Sequence, residues 1–174
     1  MQKVRVPITV DPVKSAGKQL TYIGLVPGKS LVRLQELLVE ACPDIDVSLN
    51  FDIDEQGIKR IRGEAQVTVQ ANCERCGDPM TVPLQSTFIY APLTRRQTAT
   101  DMPEEYEPIE LDELGEVNLH ELVEDELMLA MPVVVKHDER ECRVDSNAMK
   151  WGVIDDSPEA KDNPFAVLQE LKRK

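Results

Sequence analysis

The chain has 174 residues, 41% hydrophobic and 30% charged, with a formal net charge of −12. That length supports one domain with a hydrophobic core, or one domain plus a tail, and the composition excludes an intrinsically disordered chain. No apolar run approaches the ~18 residues that span a bilayer, and the acidity argues against tight, non-specific nucleic-acid binding by the whole chain.

The opening MQKVRVPITVDPVK lacks the apolar stretch of a signal peptide, so the expected location is the cytoplasm. Within it, KVRVPITV is extended and rich in β-branched residues, and Pro7 suits a sheet edge. LTYIGLV (20–26) reads as a second short strand. Ser30 is placed to cap a helix over LVRLQELLVEA, where Leu31, Leu34, Leu37, Leu38 and Ala41 repeat at helical spacing and Pro43 ends it. Cys42, at the end of that helix, is expected to pack as a small hydrophobe.

DIDVSLNFDID (44–54) alternates: Ile45, Val47, Leu49, Phe51 and Ile53 face one way, and Asp46, Ser48, Asn50 and Asp52 the other. After the EQG turn, IKRIRGEAQVTVQAN puts Ile61, Ala65, Val67 and Val69 inward and Arg60, Arg62, Glu64, Gln66 and Thr68 outward. MTVPLQSTFIYAP returns with Val82, Leu84, Phe88 and Tyr90 on one face, which makes a meander of long antiparallel strands. Residues 92–107 lose all periodicity and read as a loop, and PIEL as a short strand. VNLHELVEDELMLAMP is a second helix, with Asn118 as N-cap, Glu121 three residues on, and a buried stripe of Leu119, Leu122, Val123, Leu127, Ala130 and Met131. Glu121, Glu124 and Asp125 are expected to stay wet, with Glu126 as the exception, and His120 to be a solvated or packing residue. DDSPEAKD is a linker, and NPFAVLQELKRK a short amphipathic helix with Phe165, Leu168 and Leu171 on one face.

These elements predict an α+β domain over 1–154, a curved or barrel-like antiparallel sheet packed by two helices, followed by a linker and amphipathic tail at 155–174.

The chemistry concentrates at ANCERCGD, where Cys73 and Cys76 stand three residues apart between two strands. In a reducing compartment such cysteines are thiols or metal ligands. Two thiolates at this spacing grip one tetrahedral ion, and Gly77 gives the turn its backbone freedom. His137 and Cys142, in KHDERECRV, would complete a Cys3His structural zinc site. Two other readings stand beside it. The thiols could simply be reduced and structural, or they could be a redox pair. A redox pair, however, ordinarily opens a helix rather than joining two strands. No common catalytic signature occurs.

Charge is unevenly placed: no Lys or Arg lies between Arg96 and Lys136. Arg60 and Arg62 on the wet strand face, Arg75 in the turn, and Arg95 and Arg96 in the loop are candidates for pairing with RNA phosphates. The acidic helix at Glu124 and Asp125, together with Phe165, Leu168 and Leu171 of the tail, are candidates for a basic protein partner.

Several segments, MQKVRVPITVDP, VTVQANCERCG, EYEPIELDELGEVNLHELVEDELMLAMPVV, HDERECRV and NPFAVLQELKRK, in this order along the whole chain, resemble the YceD family. The resemblance implies a non-enzymatic role in synthesis, processing or stability of 23S ribosomal RNA, with that RNA, a pre-ribosomal particle or a basic ribosomal protein as partner and no membrane. Cys73, Arg75 and Cys76 match the family's Cys-x-Arg-Cys turn. Many members carry a second cysteine pair near the end; here Cys142 stands with only His137 nearby, and the family supplies no catalytic residues.

Overall fold

The computed structural model describes residues 4–93, 102–145 and Gly152. The chain divides into two compact units, Met1–Arg143 and Val144–Lys174; the second contributes only Val144, Asp145 and Gly152 to the described residues.

The first unit is α+β. Its main sheet contains β2 (Thr21–Val26), β3 (Ile45–Ile53), β4 (Lys59–Asn72), β5 (Pro79–Pro92) and β6 (Glu107–Ile109), in that spatial order. Neighbours from β2 to β5 are antiparallel, and β6 runs parallel to β5. The sheet is open, with β2 and β6 at opposite edges, and so does not close into a barrel. β1 (Thr9–Val10) pairs with β7 (Val117–Asn118) in a separate ribbon.

Alternation builds the core. Ile45, Val47, Leu49 and Phe51 pack beside Ile61, Ala65 and Val69, and beside Val82, Leu84 and Phe88, on the buried face. Ile53, expected inward, is exposed at the strand end. Gly63 sits opposite Phe88, whose ring fills the space a Cβ would take, so β4 and β5 close tightly there. At the other edge, residues 4–6 run along β2. A Cβ on Gly24 would lie 1.9 Å from the Val4 carbonyl oxygen, so only glycine permits this approach.

Helices α1 (Pro12–Gly17) and α3 (Leu119–Ala130) pack on the sheet, α1 against β3 and β4 and α3 against β4 and β5. α1, six residues long, is too short to show a helical period in the sequence, although Asp11 caps it by accepting from the Lys14 N–H at 2.9 Å and Pro12 stands in its first turn. α3 begins as expected: Asn118 Oδ1 accepts from the N–H groups of His120 and Glu121.

The expected helix over 31–41 shrinks to α2 (Val32–Gln35). Two competing bonds end it. The Gln35 side chain accepts from Cys42 N–H at 2.7 Å and donates to the Glu40 carbonyl at 2.9 Å, folding the chain back. Val39 N–H donates to the Gln70 carbonyl at 2.9 Å, drawing the segment onto β4. Only Leu31 and Leu34 of the leucine stripe are fully buried. Ser30 does not cap α2, because its hydroxyl donates instead to the Pro27 carbonyl.

The cap comes from α3. Glu124, expected to be wet, is 4% exposed. Its Oε1 accepts from the backbone N–H of Arg33 at 2.7 Å and Leu34 at 3.1 Å, and its Oε2 from Arg33 Nε at 2.9 Å. A buried carboxylate is tolerated because it takes up the orphan donors of a helix start and a guanidinium. Glu126, also buried, accepts from Ser86 Oγ at 2.6 Å and from the Tyr90 hydroxyl at 2.5 Å, fastening α3 to β5. Burial, then the Glu126 carboxylate, pushes the Tyr90 hydroxyl well above the ordinary tyrosine range. His120 is a packing residue, its Nε2 at 3.3 Å from the Val6 carbonyl oxygen.

Glu124→Ala strands these donors and should destabilise the protein by about 1–3 kcal/mol. Asp125→Ala, which removes only a half-exposed partner of Arg33, should stay within about 0.5 kcal/mol of wild type. Urea unfolding of the two variants checks the contrast.

Candidate metal centre and charged sheet face

The β4–β5 hairpin ends in a tight turn. Gly77 has a φ of +79°, its N–H donates to the Cys73 carbonyl at 2.8 Å, and Cys73 N–H donates to the Asp78 carbonyl. This holds Cys73 and Cys76 on one side of the tip. Beyond α3, Pro132 breaks the helix and the chain runs back to the same tip, where Glu74 N–H donates to the Val135 carbonyl at 2.8 Å. A turn at Asp138, whose carbonyl accepts from the N–H groups of Glu141 and Cys142, then carries Cys142 inward.

The four residues proposed from sequence are thereby brought together. The ligating atoms of Cys73, Cys76, His137 and Cys142 all lie within 4.8 Å of one another. Cys76 Sγ is 3.5 Å from His137 Nδ1, and His137 N–H points at Cys73 Sγ at 3.4 Å. A tetrahedral zinc with Zn–S near 2.3 Å spaces its sulfurs roughly 3.8 Å apart, so the cluster needs only a small contraction to fit one ion. The donor set of three sulfurs and one imidazole suits zinc.

Electrostatics agree with ligation. Burial would raise the Cys73 thiol, but N–H groups of His137, Cys76 and Arg75 aimed at its sulfur bring it down to about 6. At Cys76 the Asp78 N–H lowers the thiol, yet burial and the sulfurs of Cys73 and Cys142 prevail and raise it. Cys73 thus ionises readily, whereas a cation would favour the thiolate of Cys76. Arg143 braces the outside of the turn through the Cys76 carbonyl and Asp78.

Of the arginines proposed for RNA, Arg60 and Arg62 share one partner and Arg75 lies apart from them. Arg60 and Arg62 project from β4 opposite Asp52 and Asn50 of β3. Both guanidiniums bond to the Asp52 carboxylate, and Arg60 also reaches the Tyr106 hydroxyl. That hydroxyl donates to Asp54 at 2.8 Å. Arg75 belongs to the opposite end of the hairpin, and ten strand residues at 3.3 Å each put roughly 30 Å between it and Arg62. Its Nη1 is buried without a hydrogen-bond partner. Glu124 is occupied by α2, while Asp125 is exposed and pairs with Arg33 at 2.7 Å. Arg95, Arg96, Phe165, Leu168 and Leu171 lie outside the described residues.

Sequence reasoning did not single out Asp52 or Tyr106. Asp52 stood in plain view as an outward residue of an alternating strand, but strand register, which decides that it faces two arginines, is not written in the alternation.

An open α+β sheet with a Cys3His knuckle at its longest hairpin defines the class of protein. The family profile described as "Large ribosomal RNA subunit accumulation protein YceD" matches residues 61–172. A protein of that name from Haemophilus influenzae is 42% identical over 174 residues, covering all of both chains. The chain belongs to the YceD family. No solved structure matches it. Among the described residues no helix is long and apolar enough to cross a membrane.

Asp52 yields a pH prediction. Burial raises its carboxyl, but Arg60 and Arg62 together outweigh burial and hold it below its usual value of 3.8. A depressed carboxyl contributes stability that is complete above that value and is lost as pH falls through the lower folded one. Asp52→Asn should therefore be less stable than wild type at neutral pH, and the gap should narrow below about pH 3.8. Urea midpoints measured at neutral pH and on the acid limb check this.

Proposed function

We propose that the chain supports accumulation of large-subunit ribosomal RNA in the cytoplasm by binding a component of the assembling large subunit, without catalysis. One observation carries this reading: end-to-end relatedness, at 42% identity, to a protein named for large ribosomal RNA subunit accumulation. The bound component is a protein rather than bare RNA. Arg60 and Arg62 share one carboxylate, and Asp46 and Glu64 lie on the same outward face, so that face offers little net positive charge to a phosphate track. A thiol redox reading is disfavoured because Cys73, the thiol most easily ionised, is 1% exposed and joins two strands.

The Cys3His cluster is a structural zinc site in this proposal. Cys73, Cys76, His137 and Cys142 would hold the ion, which supplies cross-linking of the hairpin tip to the segment after α3 and no reaction chemistry.

Two measurements test the proposal. Purified protein should co-sediment with immature large subunits. Its binding should respond to salt much as does that of a variant with Arg60, Arg62 and Arg75 changed to Ala. A log–log salt slope flattened by about two units in the variant would assign phosphate contacts to these arginines instead. Absence of co-sedimentation would overturn the reading. For the metal, the protein should carry one zinc per chain, and Cys142→Ser should lower both zinc content and thermal midpoint. A Cys142→Ser protein as stable as wild type would refute a structural site.

A further inference from the structure

A groove of about 370 Å3 opens between the chain after α2, the end of β4 and the segment after α3. Ala71 and Val135 are buried at its base, and Leu37, Val39 and Val133 line its walls. These wall residues are 48%, 46% and 97% exposed, an apolar cluster that folding leaves in water. Glu36 and Glu74 belong to the same lining, and neither Lys nor Arg occurs in it among the described residues. Both walls are pinned to the hairpin through backbone, Val39 N–H to Gln70 and Glu74 N–H to Val135, so the groove stands ready-formed.

We infer that this groove docks a basic amphipathic segment of a partner protein. Its apolar side chains, recurring at helical spacing, would cover Leu37, Val39 and Val133, and its Lys or Arg side chains would meet Glu36 and Glu74. Charge decides the occupant. An acidic rim repels phosphate, and aliphatic walls provide no ring on which a base could stack. The inference rests on the protein-binding reading above and locates its surface away from the Arg60–Arg62 face.

The probe is a fluorescent synthetic peptide with leucines at i, i+3, i+4 and i+7 and lysines between them. Controls are a scrambled peptide of the same composition, a glutamate-for-lysine peptide and a short RNA hairpin. Against the full chain, the patterned lysine peptide should bind at least about tenfold more tightly than the scrambled one. Leu37→Glu with Val133→Glu, both at exposed positions, should abolish that preference at an unchanged urea midpoint. Glu36→Lys with Glu74→Lys, at unchanged metal content, should shift preference to the glutamate peptide. Equal binding of patterned and scrambled peptides, unaltered binding by the Glu double variant, or displacement by the RNA hairpin would overturn the inference. So would a peptide of residues 163–174 that competes for the groove, or concentration-dependent dimerisation lost in the Glu double variant. These two results would assign the groove to the chain's own sequence or to a second copy. A Glu double variant that still co-sediments with immature large subunits as wild type does would remove the groove and leave the particle reading standing. Failure of the wild-type chain to co-sediment would remove the particle reading itself.

Discussion

The bond from Glu74 N–H to the Val135 carbonyl, where the chain after α3 returns to the tip of the β4–β5 hairpin, is the contact on which the functional geometry depends. A two-stranded tip projecting beyond the core has little to hold it. Here a second segment reaches it, and two consequences follow within a few residues. His137 and Cys142 arrive beside Cys73 and Cys76, and residues 131–135 become one wall of an apolar groove. An ion held by the four side chains would fasten one end of that wall. The Cys3His cluster and the groove are therefore two products of a single chain crossing.

The acidic character of the chain has an internal use as well as an external one. Glu124 caps α2, Glu126 fastens α3 to β5, and Asp52 gathers Arg60 and Arg62. Each is a carboxylate accepting several donors, an arrangement that makes partial burial of charge affordable. What remains on the surface near the groove is again acidic, at Glu36 and Glu74. That surface chemistry is what the proposed docking of a cationic protein segment rests on.

Much of the sheet was legible in the sequence, because a half-buried strand writes its period into side-chain polarity, as 45–53 does with an unbroken alternation. The grouping of Cys73, Cys76, His137 and Cys142 was also legible, as one of three readings of the thiols, because Cys-x-x-Cys between two strands has the spacing of a metal knuckle. Helix α2 was misread because the leucine repeat of 31–41 is a helical signal, whereas the Gln35 and Val39 bonds that end the helix are tertiary. Glu124 was misread for a related reason: an acid that opens a run of three, Glu124, Asp125 and Glu126, looks solvated until α2 is placed over it. Helix α1 carried a readable signal, Asp11 before Pro12, in a segment too short for periodicity to announce. The arginines were correctly placed on the wet face, but their common partner Asp52 depends on register across two strands.

The account stands or falls on whether the hairpin tip and the post-α3 segment share one ion. X-ray absorption at the zinc edge of protein purified without a tag and under reducing conditions examines that directly. The account predicts a shell of three sulfurs at about 2.3 Å and one nitrogen at about 2.0–2.1 Å. A shell of oxygen and nitrogen alone, or protein that folds and co-sediments fully with no bound metal, would contradict it.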